Sequence, residues 1–122
     1  MGRIDRFEDL HCWQEARKLV RIVYEATNKG AISRDFDMKS QIRKAAISSM
    51  NNIAEGFSRF SKKEFVRFLE ISSSSACEVK SVAYTALDLQ YWTTETATEV
   101  QNKAEDVKSL DLGFIKYLNS KR

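Results

Sequence analysis

An all-α chain folded as an antiparallel up-down-up-down four-helix bundle is what the sequence predicts, and three observations carry the prediction. Proline is absent from all 122 residues, and proline breaks helices by removing an amide donor and crowding the preceding turn. Apolar side chains recur at three- and four-residue steps in four separate stretches, the spacing that places them on one helical face. Turn and capping residues separate these stretches and leave only short connections, which favours antiparallel neighbours. No stretch shows the two-residue alternation of a strand.

The first helix is predicted from Leu10 to Thr27, with Trp13, Ala16, Val20, Val23 and Thr27 facing inward. Gln14, Arg17, Lys18, Arg21 and Glu25 fall on the opposite side. Asn28-Lys29-Gly30 stops it, because Gly30 tolerates a positive φ. The second helix is predicted from Asp37 to Phe57, with Ile42, Ala46, Ser49, Ile53 and Phe57 on one stripe.

Ser61-Lys62-Lys63-Glu64 is a capping box: the Ser61 hydroxyl accepts from a first-turn amide, and Glu64 reaches back toward the Ser61 amide. It starts a third helix, predicted from Lys62 to about Tyr91, whose inner face includes Phe65, Phe68, Leu69, Ser72, Ala76 and Val79. Helical periodicity runs through Ser72-Ser73-Ser74-Ser75, so that run is not a linker. Trp92-Thr93-Thr94 is the next connection, with Thr94 or Thr96 as the cap of the fourth helix. Ala97, Val100, Ala104, Val107, Phe114, Ile115 and Leu118 form its apolar side, which Asp111 and Gly113 interrupt.

A chain of this length is expected to build one core and one domain over residues 1–122. It holds no apolar run long enough to span a membrane, and its first residues lack the apolar region of a signal peptide, so a cytoplasmic location is expected. Cys12 and Cys77 lie far apart within helical patterns. They match neither a disulfide framework nor a zinc spacing, and both are expected to act as small apolar residues. A single histidine, His11, cannot supply the Glu-x-x-His pairs of a di-iron bundle or a nucleophilic triad. Gly-rich phosphate loops are absent as well. The expectation is a protein that is not an enzyme and takes no metal or cofactor.

Three sets of residues remain as candidate sites. Ser48, Asn52, Glu55 and Arg59 line up along the second helix, and with Glu78 of the third they read as a polar network that fixes helix packing. Basic residues concentrate between Lys39 and Lys63: Lys39, Arg43, Lys44, Arg59, Lys62 and Lys63 stand against Glu55 alone. Arg17, Lys18 and Arg21 add to them on the first helix. In a monomer of net charge +3 such residues are ordinary solvated charge. Repeated around a symmetry axis they make a field that attracts the phosphates of RNA or DNA. Finally, Ile47, Met50 and Ala54 on the second helix, and Ile71, Val82 and Leu89 on the third, extend the apolar arcs beyond what one core absorbs. They predict a homo-oligomer interface.

From Phe7 to about Glu78 the chain resembles a known bacterial family. The resemblance rests on Phe7-x-x-Leu10-x-x-Trp13-x-x-Ala16, on Gln41-x-Arg43-x-Ala45-Ala46-x-Ser48, and above all on Asn52-Ile53-Ala54-Glu55-Gly56-x-x-Arg59-x-Ser61-x-x-Glu64-Phe65-x-x-Phe68-Leu69. The family is that of the 23S rRNA intervening-sequence proteins. The resemblance implies a left-handed four-helix bundle that assembles as a homopentamer. A related branch comprises accessory proteins of diversity-generating retroelements, basic pentameric barrels that bind a reverse transcriptase and nucleic acid. Such an enzyme, or another protein, is the partner this resemblance implies. Ser74 and Gln90 stand where the family often has glycine, and both departures are compatible with the fold.

Overall fold

The computed structural model describes residues 3–121. Four helices follow one another: α1 (His11–Thr27), α2 (Phe36–Phe57), α3 (Lys62–Asp88) and α4 (Thr94–Asn119). Short 3-10 turns, Phe7–Asp9 and Ala31–Arg34, precede α1 and α2. Among the described residues there is no strand. Each helix packs on its neighbours in sequence, and α4 returns to α1, which closes the antiparallel bundle. One end gathers the start of α1, the α2–α3 turn and the end of α4, where Lys62 Nζ donates to the Lys121 carbonyl at 2.8 Å.

The helix boundaries have local causes. Asp35 caps α2 by accepting from the Met38 amide at 3.1 Å, and its other oxygen accepts from the Tyr91 hydroxyl at 3.0 Å. One carboxylate therefore starts α2 and anchors the chain leaving α3. Ser61 caps α3 through the Glu64 amide at 3.2 Å, as the capping box predicts. The cap of α4 is Thr93, which accepts from the Thr96 amide; neither Thr94 nor Thr96 serves. The third helix ends at Asp88 rather than near Tyr91. There Gln90 takes a φ of 60°, while the Gln90 amide donates to Leu87 and the Tyr91 amide to Ala86. These bonds make a Schellman stop with glutamine at the position that favours glycine.

The core draws on all four helices, with Leu19, Ile42, Ile53, Leu69, Val79, Val100 and Val107 fully buried. Two expectations are corrected here. On α1 the buried residues are Cys12, Glu15, Ala16, Leu19, Val23 and Thr27, whereas Trp13 and Val20 are half-buried at the edge. Trp13 is held by Phe7, whose ring meets it edge-on with centroids 5.2 Å apart. Cys12 is buried as a small apolar residue is, but Cys77 is exposed. The fourth helix passes unbroken through Asp111 and Gly113, and Asp111 turns inward.

The helices α2 and α3 come close together at Gly56. A β-carbon built there would lie 2.6 Å from Phe68 Cβ and 3.0 Å from Phe65 Cδ1. Glycine at this position lets α2 approach the start of α3.

Candidate nucleic-acid interface

Eight of the nine basic residues singled out in the sequence occupy three separate places, and Lys44 stands exposed on α2 by itself. Arg17, Lys18 and Arg21 lie on the outer side of α1, where they line a groove of about 660 Å³ together with Arg6, Trp13 and Gln14. Glu8 and Asp9 form part of the same wall. The Arg17 guanidinium sits over the Trp13 ring, 5.7 Å from its centroid. Arg6, which belongs to this groove, carries no helical periodicity and was invisible to the sequence reading.

Lys39 and Arg43 lie on the edge of α2 that faces α1, and both are engaged within the chain. Lys39 Nζ donates to the Ser33 carbonyl at 3.0 Å. Arg43 Nε donates to Thr27 Oγ1 at 2.8 Å, and its guanidinium stacks 4.2 Å from the Tyr24 centroid. Arg43 thus joins α2 to α1, and Lys39 ties α2 to the turn that precedes it. Arg59, Lys62 and Lys63 surround the α2–α3 turn. Phe60, among them, projects fully into solvent.

Several cations have carboxylate partners: Lys18 with Glu15 at 2.8 Å, Arg21 with Glu25 at 3.4 Å and Arg59 with Glu55 at 3.6 Å. Lys44 and Lys63 are exposed and make no ion pair among the described residues. Pairs at the open surface are worth about 0–1 kcal/mol, so Arg21 and Arg59 exchange partners readily. Lys18 is different, because its Glu15 is nearly buried and also binds Lys103 at 2.7 Å. Those two lysines hold the Glu15 carboxyl far below its usual range, at about 2.

The expected polar network divides into parts. Ser48 meets Ser75 across α2 and α3 at 2.8 Å, and Asn52 Nδ2 donates to the Ser48 hydroxyl at 3.0 Å. Glu55 pairs with Arg59 alone, and Glu78 accepts from Gln41 at 3.2 Å. Glu78 therefore does not join Glu55 and Arg59, because it lies more than three helical turns away along the α2–α3 seam. A buried polar cluster lies elsewhere. The Ser72 hydroxyl contacts the Ser49 carbonyl at 2.7 Å and Asp111 Oδ2 at 2.5 Å.

The expected interface residues also separate. Ile47, Met50 and Ala54 follow Arg43 at helical spacing, on the α1-facing edge of α2. Ile71 and Val82 flank Ser75 and Glu78, on the α2-facing edge of α3. Met50 and Val82 pack against the core, whereas Ile47, Ala54 and Ile71 are half-buried outside it. Leu89 is exposed at the end of α3. Two partly apolar strips thus run along opposite sides of α2.

A family model described as the 23S rRNA-intervening sequence protein matches residues 8–111. The chain belongs to that family. The matched segment spans α1 to the last third of α4 and ends on the buried Asp111. No functionally curated protein matches the chain. Among solved structures, it is similar to a protein of unknown function from the S23 ribosomal protein family of Bacteroides thetaiotaomicron. That likeness has a TM-score of 0.77 and 24% identity, over 86% of this chain and 98% of the other. At that identity the likeness is one of fold. Among the described residues, no helix is long and apolar enough to cross a membrane, and no cluster of His, Cys, Asp and Glu is suited to a metal.

Proposed function

We propose that this 23S rRNA-intervening sequence protein is a non-enzymatic, cytoplasmic homo-oligomer, a pentamer, that binds RNA or DNA weakly through its basic surface. In this reading it serves as an accessory to a nucleic-acid enzyme such as a reverse transcriptase. The observation that carries the reading is the α1 groove, which Arg6, Arg17, Lys18 and Arg21 line together with Trp13, the Arg17 guanidinium lying over its ring. Cations beside an aromatic face suit phosphate contact with base stacking, without sequence readout. Five copies of a modest patch act together through multivalency. The two apolar strips on either side of α2 support head-to-tail assembly, which requires two different faces to meet.

Binding of a fluorescent RNA or DNA oligonucleotide at low and high salt tests the ligand, and light scattering on a sizing column tests the assembly. Salt-dependent binding that Arg17→Glu/Arg21→Glu abolishes, with helical circular dichroism unchanged, supports the reading. So does a mass near five times 14.1 kDa.

A second reading is a protein-binding scaffold with no nucleic-acid role. The internal engagement of Lys39 and Arg43 favours it, because these cations are committed to the fold. An oligomer that binds no nucleic acid at low salt decides for the scaffold.

A further inference from the structure

Asp111 is fully buried, and its Oδ1 has no hydrogen-bond partner. Its Oδ2 meets the Ser72 hydroxyl, which also meets the Ser49 carbonyl of α2. A hydroxyl carries one hydrogen and can donate to only one of these two acceptors. With an ionised carboxylate, the one Ser72 hydrogen serves either Oδ2 or the Ser49 carbonyl, and the other close oxygen–oxygen contact is left with no hydrogen between its atoms. With a neutral carboxyl every contact is served: Asp111 donates to Ser72, and Ser72 donates to Ser49. That relay ties α4 to α3 and α3 to α2 in one line.

The surroundings favour the neutral form. The Cys12 thiol faces Asp111 from α1 and Ser72 faces it from α3, while α2 presents the Ser49 carbonyl. No charged side chain shifts the Asp111 proton; burial alone raises its pKa to about 7, against the weaker pull of Ser72 and Cys12. Asp111 is also the last fully buried residue of α4, since Phe114, Ile115 and Leu118 beyond it are only half-buried. Beside this stretch an apolar cavity of about 460 Å³ opens between Ile4 and Leu10 on one side and Leu110, Phe114 and Tyr117 on the other, with Cys12 in its wall.

We propose that Asp111 is a pH-operated latch, whose neutral carboxyl clamps α4 to α3 and whose ionisation frees the last turns of α4 beside the apolar cavity. A carboxyl that is harder to ionise when clamped favours the clamped state at low pH. The clamp weakens as pH rises from the ordinary aspartate value of 3.8 to about 7. Above that it weakens no further. In this window the opening constant rises about tenfold per pH unit for the single proton involved.

Hydrogen exchange on the full chain, corrected for intrinsic rates, tests this at amides 112–119 across the upper half of that window. The expected result is protection that falls with pH in the wild type and stays level in Asp111→Asn. Asparagine keeps a donor for Ser72 and carries no charge. Level protection in the wild type, or the same slope in the variant, overturns the latch. Should Asp111→Asn fail to fold, infrared titration of the wild type decides. A carboxylic-acid carbonyl band must persist well above pH 4.5, the ordinary glutamate value, and fade near 7; loss of all such absorption with the ordinary carboxylates overturns the proposal.

Discussion

Lys103 of α4 and Glu15 of α1 form a 2.7 Å ion pair between helices that are remote in sequence. Both side chains are mostly shielded, with 22% and 11% of their surface exposed, so the pair is less screened than surface pairs. Lys103→Met should therefore lower stability by about 1–3 kcal/mol. The pH dependence has a definite sign. Glu15 is depressed from 4.5 to about 2, chiefly by its hydrogen bond to Lys103 and then by Lys18. Its contribution is complete above 4.5 and disappears as pH falls toward 2. Urea titrations across that range should show the loss in the wild type and a smaller loss in Lys103→Met.

Gly56→Ala should be destabilising although alanine is the better helix former. The new β-carbon meets Phe68 Cβ at 2.6 Å, and a β-carbon moves only with its backbone. Separating α2 from α3 at this crossing should cost about 1–3 kcal/mol, against a helix-propensity gain of about 1 kcal/mol. Thermal melts of the two proteins check the balance.

Gln90→Gly should do the reverse. Gln90 holds a φ of 60°, which costs a side-chain-bearing residue about 1 kcal/mol that glycine avoids. The Schellman bonds use only the backbone, so they survive the change. A gain of roughly 0.5–1 kcal/mol in denaturant titration is expected.

The two tryptophans should differ in importance. Trp92 is buried at 6% exposure, and its indole donates to the Ala26 carbonyl at 2.8 Å. Trp92→Ala should cost about 3–5 kcal/mol. Trp13, half-buried between Phe7 and Arg17, should cost about 1–3 kcal/mol in the same substitution. Its fluorescence should respond when a ligand enters the α1 groove, whereas that of Trp92 should not.

The helices were legible because their apolar spacing is regular and their connections carry recognisable stops. The face of α1 was harder to read. Trp13–Ala16–Val20–Val23 and Cys12–Ala16–Leu19–Val23 are both helical stripes that share two members. Which one turns inward depends on Phe7 covering Trp13, a contact that periodicity does not record. Asp111 shows the opposite error. Val100, Ala104, Val107 and Asp111 continue one stripe in steps of four, three and four. The acidic identity made Asp111 look like an interruption, although Ser49 and Ser72 already stood on the inner stripes that could receive it. The basic residues were legible as a composition but not as a surface, because the commitment of Arg43 to Thr27 and Tyr24 is a tertiary fact.

The two cysteines have unlike fates that bear on how subunits of the proposed assembly are counted. Burial pushes the Cys12 thiol up to about 12, where it holds its proton and stays chemically quiet. Cys77 stands open to solvent on α3. In aerated buffer, a covalent bridge between two such chains would give a particle of twice the chain mass that owes nothing to the apolar strips. A species that survives thiol reductant reflects native association, and one that vanishes with it is an artefact of storage. Because only one thiol is reachable, the same position accepts a single spectroscopic label, and the number of labels per particle reads out the number of subunits directly.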